Sequence, residues 1–297
     1  MSARPETSQP STVGVPSTVG VLGGGRMGGG IAHAFLIAGA QEVVVVDVSA
    51  EAADAARGRI EGDVAASLQR GKIDGELTDW TTRLTVTADV ADFARCALVI
   101  EAVPEDMDLK TASLRRVEEQ LAPQAWLGTN TSSLSVTDLA EHLQRPERFC
   151  GLHFFNPVPA SKLVEVVLAG TTGEELAALS PQWVEALGKT PVVVKDAPGF
   201  ASSRLGVAIG LEAIRMVEEG VASPEDIDNA MVLGYKFPIG PLALTDIVGL
   251  DVRLGIAEYL ESRLGERFTP PQLMREMVAR GELGRKTGKG FYDYPPQ

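Results

Sequence analysis

A histidine and a glutamate stand in two neighbouring apolar segments of this sequence. His153 lies in the run 151–157, which has the pattern of a strand that is ended by an asparagine and a proline. Glu165 lies in the equally apolar run 162–166, where a buried carboxylate needs a partner. If the two segments adjoin, Glu165 accepts a hydrogen bond from one ring nitrogen of His153 and the other nitrogen takes a proton from a substrate alcohol. The pair therefore predicts a general base for alcohol oxidation, although a lone histidine in an apolar strand is more often a core residue.

A glycine-rich segment at 23–28, Gly-Gly-Gly-Arg-Met-Gly, fits the dinucleotide-binding pattern G-x-G-x-x-G. It lies between a predicted strand and a predicted helix, which is the context that gives the pattern its meaning. Gly23 permits the tight turn, Gly25 lets the backbone approach the pyrophosphate, and Gly28 lets the helix pack close to the strand. Met27, in the same turn, is a further candidate contact. The segment predicts a bound dinucleotide.

The choice between NAD and NADP depends on Asp47, which follows the β-branched run of the second predicted strand. Its separation from Gly28 is near that of the acid that binds the adenosine ribose. A carboxylate at this place would repel a 2′-phosphate. The sequence therefore favours NAD.

The segment 130–133, Asn-Thr-Ser-Ser, follows another predicted strand, at the strand end where open α/β sheets bind their ligands. Ser135 with Asp138 three residues later has the pattern of a capping box and is interpreted as structural. Ser132 is left as the hydroxyl that can reach a substrate oxygen.

Strands and helices alternate from Thr18 onward, which predicts an α/β fold with a Rossmann-type, doubly wound, mainly parallel sheet. Beyond Pro198 no strand pattern is left, while helix starts such as Ser223-Pro224 are well marked. The predicted organisation is a flexible extension at 1–17, an NAD-binding domain at 18–195 and an all-helical substrate and dimerisation domain at 196–297. Strands are predicted at 18–22, 43–48, 84–87, 98–102, 126–129, 149–154, 164–168 and 191–194, and helices at 30–38, 50–69 and 109–121.

Composition excludes several classes of protein. The sequence has 297 residues, a formal net charge of -13 and no run of basic residues, so nucleic acid is an unfavourable partner. The Ser- and Pro-rich start lacks the apolar stretch of a signal peptide, and no segment is apolar for long enough to span a membrane. The two cysteines, Cys96 and Cys150, lack metal-type or redox-type spacing and are expected to be buried free thiols. We expect a soluble cytoplasmic protein without a metal.

With these motifs in order, the chain resembles the 3-hydroxyacyl-CoA dehydrogenase family over nearly all of the range from Thr18 to Tyr294. The segments at 23–28, 130–133, 153–157 and 162–166 are similar to its signature segments. So are Pro-Gly-Phe at 198–200, Gly-Pro-Leu at 240–242, and the tail from 284 to 292.

The resemblance implies NAD-dependent oxidation of an L-3-hydroxyacyl-CoA thioester in fatty-acid metabolism, by a homodimer that pairs through the helical domain. It implies that His153 and Glu165 form the catalytic pair and that Ser132 lies near the substrate's 3-oxygen and the nicotinamide. The cofactor contacts that it implies are Asp47, Glu105, Lys110, Asn156 and Lys286.

Two positions depart from the family's pattern. Many relatives have an asparagine where this chain has Ser203, so a side-chain amide that would reach the substrate is replaced by a shorter hydroxyl. Ser203 then acts through water, or the subgroup relies more on Ser132. Family positions that contact CoA as a serine and a lysine fall on Asp63 and Arg70. Arg70 can bind a phosphate of CoA. Asp63, in contrast, weakens the prediction of CoA binding relative to the prediction of NAD binding.

Other functions stay open at this point. The same chemistry would suit 3-hydroxybutyryl-CoA, 3-hydroxyadipyl-CoA or a hydroxyacyl group on a carrier protein. A nucleotide-binding structural protein without turnover is a rival from another class, because a fold alone does not prove a function. A sugar-acid or 2-hydroxyacid oxidoreductase fits less well, since those enzymes need different catalytic segments.

Overall fold

The computed structural model describes residues 14–295, which form two compact units. The first unit ends at Asp196 and the second begins at Ala197. Residues 1–13 of the predicted extension lie outside the described residues. Of the rest of that extension, Val15 packs against the core of the first unit, and the carbonyl oxygen of Ser17 accepts backbone hydrogen bonds.

The first unit is built on an eight-stranded sheet with the order β3-β2-β1-β4-β5-β6-β7-β8. All neighbouring strands are parallel except β6 and β7, which are antiparallel. This topology confirms the predicted Rossmann-type, mainly parallel sheet. The strands are β1 Thr18–Leu22, β2 Glu42–Val46, β3 Leu84–Thr87, β4 Leu98–Glu101, β5 Trp126–Thr129, β6 Phe149–Phe154, β7 Leu163–Leu168 and β8 Thr190–Lys195.

The described residues of the first unit form six α-helices: α1 Arg26–Ile37, α2 Ala50–Gln69, α3 Leu77–Thr81, α4 Met107–Glu118, α5 Val136–Ala140 and α6 Glu174–Ala186. Helix α2 has the predicted bounds, and its N-cap Ser49 accepts a hydrogen bond from the backbone of Ala52. Helix α1 begins four residues before the predicted start at 30, because Gly28 and Gly29 are part of the helix rather than of the turn. The prediction did not include α3 or α6, and for α5 it gave only the capping pattern at Ser135.

The core of the first unit consists of the β-branched strands and the faces of the helices that cover them. Val43, Val45 and Ile60 are fully buried in it, and Phe35 is almost so. Burial on both faces is typical of parallel sheets and explains why these strands have continuous rather than alternating apolar runs. Cys96 and Cys150 are buried free thiols, as predicted.

The second unit is helical, as predicted, and its described residues contain only isolated bridges near the tail. Its α-helices are α7 Ser202–Glu218, α8 Pro224–Asn229, α9 Pro241–Val248, α10 Leu250–Leu264 and α11 Gln272–Ala279. Helix α8 starts with Ser223 as N-cap and a proline in its first turn. A buried carboxylate, Asp246, accepts hydrogen bonds from the backbone of Phe291 and Tyr292 and so ties the tail to α9.

None of the helices formed by residues 14–295 combines the length and the apolarity that crossing a bilayer requires.

Candidate active site

The turn between β1 and α1 lies where the sheet order reverses, since β1 is flanked by β2 on one side and β4 on the other. Such a switch point is where open α/β sheets bind nucleotides. Gly23 has a φ of 90°, in the region that favours glycine, and a Cβ on Gly28 would lie 1.7 Å from the carbonyl oxygen of Gly23. At Gly25, the N-cap of α1, a Cβ would meet nothing within 4 Å. The space beside the N-terminus of α1 is therefore open at Gly25, where a helix N-terminus favours an anion.

Asp47 follows β2 and lies beside this turn. Its carboxylate accepts hydrogen bonds from the backbone N–H of Gly24 at 2.8 Å and from that of Val48 at 2.7 Å. The carbonyl oxygen of Gly24 is in turn held by the guanidinium of Arg59. These contacts fix the orientation of the acid that is predicted to bind the adenosine ribose.

A cleft of about 710 Å³ opens beside the turn, entirely within the first unit. Its lining includes Gly25, Met27 and Asp47, together with apolar side chains such as Val48 and Leu109, which are 92% and 43% exposed. An apolar wall next to a carboxylate and a helix N-terminus suits the adenine, ribose and pyrophosphate of a dinucleotide. The residues present therefore fit NAD.

A buried ionic network occupies the end of β4. Glu101 is 0% and Lys110 is 1% exposed, and the ammonium group of Lys110 lies 2.7 Å from Glu101 Oε1, 3.1 Å from the carbonyl oxygen of Val103 and 3.4 Å from Glu105 Oε2. The other oxygen of Glu101 accepts a hydrogen bond from Thr129 on β5. A buried ion pair with its hydrogen bonds satisfied holds its members in one geometry. The position of Lys110 suits an internal support for Glu105 better than direct exposure to a ligand.

Glu105 connects this network to the loop that follows β5. One of its oxygens accepts hydrogen bonds from the hydroxyl of Thr131 at 2.7 Å and from the backbone N–H groups of Ser132 and Ser133 at 2.8 and 3.0 Å. The hydroxyls of both serines also lie 3.1 Å from that oxygen. Burial raises the pKa of Glu105, but the charge of Lys110 and these hydrogen bonds outweigh it and leave the pKa below its usual value. Glu105 is thus an anion that orders the predicted substrate loop.

His153 and Glu165 lie directly opposite each other on the antiparallel strands β6 and β7. His153 Nδ1 and Glu165 Oε2 are 2.8 Å apart, and the residues are 6% and 0% exposed. The ring of Phe155 packs against the imidazole with centroids 4.3 Å apart. The carboxylate holds one ring nitrogen, which is the geometry of an oriented acid–base histidine.

The β5 and β6 strand ends are joined by an amide. Asn130 Oδ1 accepts a hydrogen bond of 2.8 Å from the backbone N–H of Phe154, next to His153. Asn156, two residues further on, is exposed beyond the end of β6. Ser135 is the N-cap of α5, in agreement with its structural interpretation, and its hydroxyl also contacts Asp196.

The remaining predicted site residues are Asp63, Arg70, Ser203 and Lys286. Asp63 is half-buried on α2, and Arg70 is exposed at the C-cap of that helix. Ser203 lies in the first turn of α7 and Lys286 in the tail, both in the second unit. Lys286 Nζ lies 2.6 Å from both carboxylate oxygens of Asp251, at the start of α10.

Sequence reasoning missed Glu101 and the role of Asn130. Glu101 lies inside the strand predicted at 98–102, and a charged residue in an otherwise apolar strand is itself a signal, since it needs a partner when it is buried. Lys110, nine residues further along the chain in the first turn of α4, has the opposite charge. No such signal marks the side chain of Asn130, because its bond to β6 depends on which strands are neighbours.

A dinucleotide-binding turn at the switch point, together with an oriented histidine–carboxylate pair, defines the class of protein as a Rossmann-type dehydrogenase. Comparison with known families is more specific. The profile described as 3-hydroxyacyl-CoA dehydrogenase, NAD binding domain, matches residues 18–197. The profile described as 3-hydroxyacyl-CoA dehydrogenase, C-terminal domain, matches residues 199–294.

Individual relatives agree with these profiles. A probable 3-hydroxybutyryl-CoA dehydrogenase of Deinococcus radiodurans is 43% identical over 280 residues, which cover 93% of this chain and 99% of that protein. The 3-hydroxyadipyl-CoA dehydrogenase of Escherichia coli is 41% identical over 288 residues, covering 93% of this chain and 59% of that protein. The crystal structure of (S)-3-hydroxybutyryl-CoA dehydrogenase from Ralstonia eutropha aligns with a TM-score of 0.90 at 38% identity, over 95% of this chain and 100% of that one.

The chain therefore belongs to the 3-hydroxyacyl-CoA dehydrogenase family. It is an oxidoreductase whose cofactor is NAD, as the sequence predicts.

Proposed function

We propose that the protein oxidises L-3-hydroxyacyl-CoA thioesters to 3-ketoacyl-CoA, with His153 as the general base. The observation that carries the proposal is the bond of 2.8 Å between His153 Nδ1 and the buried carboxylate of Glu165. A histidine held in this way is suited to take a proton from an alcohol, because the carboxylate stabilises the imidazolium that forms.

NAD, when bound, accepts the hydride from C3 of the substrate. Glu165 keeps the proton of His153 on Nδ1, so that Nε2 is the atom that receives the hydroxyl proton. As the O–H bond breaks, its electron pair forms the carbonyl, and His153 becomes an imidazolium beside the Glu165 carboxylate. Ser132 and Ser203 donate hydrogen bonds to the 3-oxygen, directly or through water.

Several residues would hold the cofactor. The turn with Gly23, Gly25, Met27 and Gly28 faces the pyrophosphate, and Asp47 binds the adenosine ribose. Contacts further along come from Glu105, Ser132, Asn156 and Lys286. Lys110 acts mainly by fixing Glu105, since its ammonium group already contacts two carboxylates and a carbonyl oxygen.

The acyl group in this proposal is short, as in 3-hydroxybutyryl-CoA, because that substrate is named for the relatives from Deinococcus radiodurans and Ralstonia eutropha. The relative from Escherichia coli supports 3-hydroxyadipyl-CoA as a second candidate. Arg70, exposed at the end of α2, is the proposed contact for a CoA phosphate. Asp63 lies seven residues before it, about two helical turns away. A hydroxyacyl group on a carrier protein is the remaining alternative.

The test combines one variant with a panel of thioesters. In His153→Gln we expect oxidation of 3-hydroxybutyryl-CoA to fall at least about 1,000-fold while the dissociation constant of NADH stays within about threefold. Undiminished activity in His153→Gln would remove the proposed base. Absence of turnover by the wild-type protein on every CoA and carrier-protein thioester, with NADH still bound, would instead support a non-catalytic NAD-binding protein.

The proposed assembly is a homodimer formed through the second unit, in the cytoplasm. That unit carries large apolar side chains that are unusually exposed, including Leu233 at 67%, Tyr235 at 75% and Ile247 at 49%. Exposed apolar side chains of this size are typical of protein interfaces. Sedimentation should give twice the mass of the 31.4 kDa chain, and Leu233→Glu with Tyr235→Glu should shift the mass toward the monomer.

A further inference from the structure

Arg253, on α10, is a buried cation without an acid. The residue is 6% exposed, and its guanidinium donates one hydrogen bond, from Nη1 to the carbonyl oxygen of Gly206. The buried Nε finds no acceptor within the part of the chain that the structure describes. No carboxylate of residues 14–295 forms a salt bridge with Arg253, whereas Asp246 and Asp251 in the same unit are engaged by the tail and by Lys286.

This arrangement is costly. A guanidinium carries five N–H donors and stays charged, and a buried charge is normally paired and hydrogen-bonded. Burial lowers the pKa of Arg253 to about 10, so the side chain is still a cation at neutral pH. A carboxylate brought by a ligand would supply both the missing charge and the missing acceptors.

The sequence of α7 leaves room for the guanidinium. A Cβ on Gly210 would lie 3.1 Å from Arg253 Nη1, and one on Gly206 would lie 3.7 Å from it. A Cβ at Gly210 would crowd the guanidinium, whereas at Gly206 a Cβ would make an ordinary contact and only a longer side chain would displace the guanidinium. Two glycines in the interior of one helix weaken that helix, so their presence here points to space needed beside Arg253.

The two glycines that contact the guanidinium lie on the same face of α7 as Ser203. Positions 203, 206 and 210 follow the spacing at which helical residues share a face. Three residues of helix rise about 4.5 Å, close to the span from C3 to C6 of an acyl chain. A chain whose 3-oxygen meets Ser203 would thus bring its sixth carbon near Arg253.

We infer that Arg253 binds a carboxylate at the far end of the acyl chain, so that the enzyme accepts 3-hydroxyacyl-CoA thioesters of dicarboxylic acids. The inference rests on the proposed function, which sets the substrate against Ser203. It makes Arg253 a residue that determines acyl specificity.

The kinetic test compares 3-hydroxyadipyl-CoA with 3-hydroxyhexanoyl-CoA, which has the same carbon number but no terminal charge. We expect wild-type kcat/KM to be about 10- to 100-fold higher for the charged substrate, as for a hydrogen bond between charged groups. Arg253→Met should bring the ratio close to one while leaving the value for 3-hydroxyhexanoyl-CoA within about threefold. A wild-type ratio of one or less, or a ratio that Arg253→Met leaves unchanged, would overturn the inference.

Arg215→Met is the matched control. Arg215 lies on α7 but already has acceptors in Glu212 and the carbonyl oxygen of Thr269, so its replacement should leave the substrate ratio unchanged. Thermal unfolding of both variants separates a loss of stability from a loss of selectivity. If Arg253→Met does not fold, Arg253→Lys, which keeps the charge on a shorter side chain, should lower the ratio without abolishing it.

A binding measurement keeps the inference independent of turnover. Adipyl-CoA and hexanoyl-CoA lack the 3-hydroxyl and cannot be oxidised at C3, so their effect on the Tm reports binding alone. We expect the larger rise with adipyl-CoA, and equal rises would overturn the inference. If adipate alone gave the full rise in Tm, Arg253 would bind a free dicarboxylate rather than the acyl chain of the substrate, and the inference would be wrong. A larger rise with adipyl-CoA in a protein that oxidises no thioester would retain Arg253 as the carboxylate site and reject the proposed function.

Discussion

Three carboxylates orient the polar groups of the site, and each of them holds a different group. Glu165 holds the imidazole of His153, Glu105 holds the loop with Ser132, and Asp47 holds the glycine turn. Each carboxylate accepts hydrogen bonds that already hold these groups in position before a ligand binds. Such preorganisation is the main contribution that a protein makes to a hydride transfer.

Replacing the orienting acid should separate catalysis from cofactor binding. In Glu165→Gln we expect kcat to fall about 10- to 150-fold, because a charge-assisted hydrogen bond is worth about 1.5–3 kcal/mol. NADH affinity should change little. Steady-state kinetics and fluorescence titration measure the two effects.

The control for this substitution is Glu118→Gln. Glu118 is also a buried acid of the first unit, but it binds the backbone of Gln144 and Arg145. This variant should lose stability and keep its kcat. Equal losses of kcat in the two variants would show that Glu165 acts only through the fold.

Because the pKa of Glu105 is lowered in the folded protein, the difference in stability between the wild-type protein and Glu105→Gln should depend on pH. A carboxyl whose pKa is lower in the folded protein contributes stability above its unfolded pKa, usually 4.5, and loses it as pH falls through the folded pKa. Glu105→Gln should therefore lower the Tm by a few degrees at pH 7. The gap to the wild-type protein should narrow as the pH falls below about 4.5.

The measurement is the Tm of both proteins between neutral and strongly acidic pH. Glu266→Gln, at an exposed position, serves as the control and should show almost no gap at any pH. A gap between Glu105→Gln and the wild-type protein that widens toward acid pH would contradict the proposed role of the Glu105 carboxylate.

At the level of elements, close contact between β1 and α1 shapes the cofactor turn. The contact depends on Gly28, where a Cβ would lie 1.7 Å from the carbonyl oxygen of Gly23. Gly29, the next residue of the helix, has ordinary space, since its nearest contacts would be 3.6 and 3.7 Å away. The close contact therefore requires a glycine at position 28 but not at position 29.

This difference gives a paired prediction. Gly28→Ala should raise the dissociation constant of NADH at least about tenfold and cost about 1–3 kcal/mol of stability, because the turn must open. Gly29→Ala should leave NADH binding unchanged and stabilise the protein by up to about 1 kcal/mol, since alanine favours a helix interior. Fluorescence titration and urea unfolding test both. Similar effects of the two substitutions would mean that the close contact does not shape the turn.

At the level of the whole molecule, the two thiols report on unfolding. Burial raises the pKa of Cys96 and of Cys150 to about 12, so almost no thiolate is present at pH 8. The native protein should not react with a disulfide reagent within minutes, whereas the protein in guanidinium chloride should titrate two thiols per chain. Rapid reaction of either cysteine in the native protein would show that this part of the core opens locally.

Local patterns in the amino-acid sequence determined the class of fold, the family and the cofactor. The glycine turn, the β-branched strands and the N-caps at Ser49 and Ser223 are encoded within a few residues of one another. For that reason the parallel sheet, helix α2 and the helical second unit could be predicted. The sequence also marked His153 and Glu165 as candidates, because each is a polar residue in an apolar run.

Only the tertiary structure decided which of those candidates meet. The antiparallel pairing of β6 with β7 sets His153 opposite Glu165, and the neighbouring ends of β4 and β5 bring Glu101 to Thr129. Likewise, the space left by Gly206 and Gly210 around Arg253 arises between two helices that are distant in sequence. Side-chain periodicity shows which face of an element is buried but not which element covers it, so these contacts follow from chain topology rather than from local pattern.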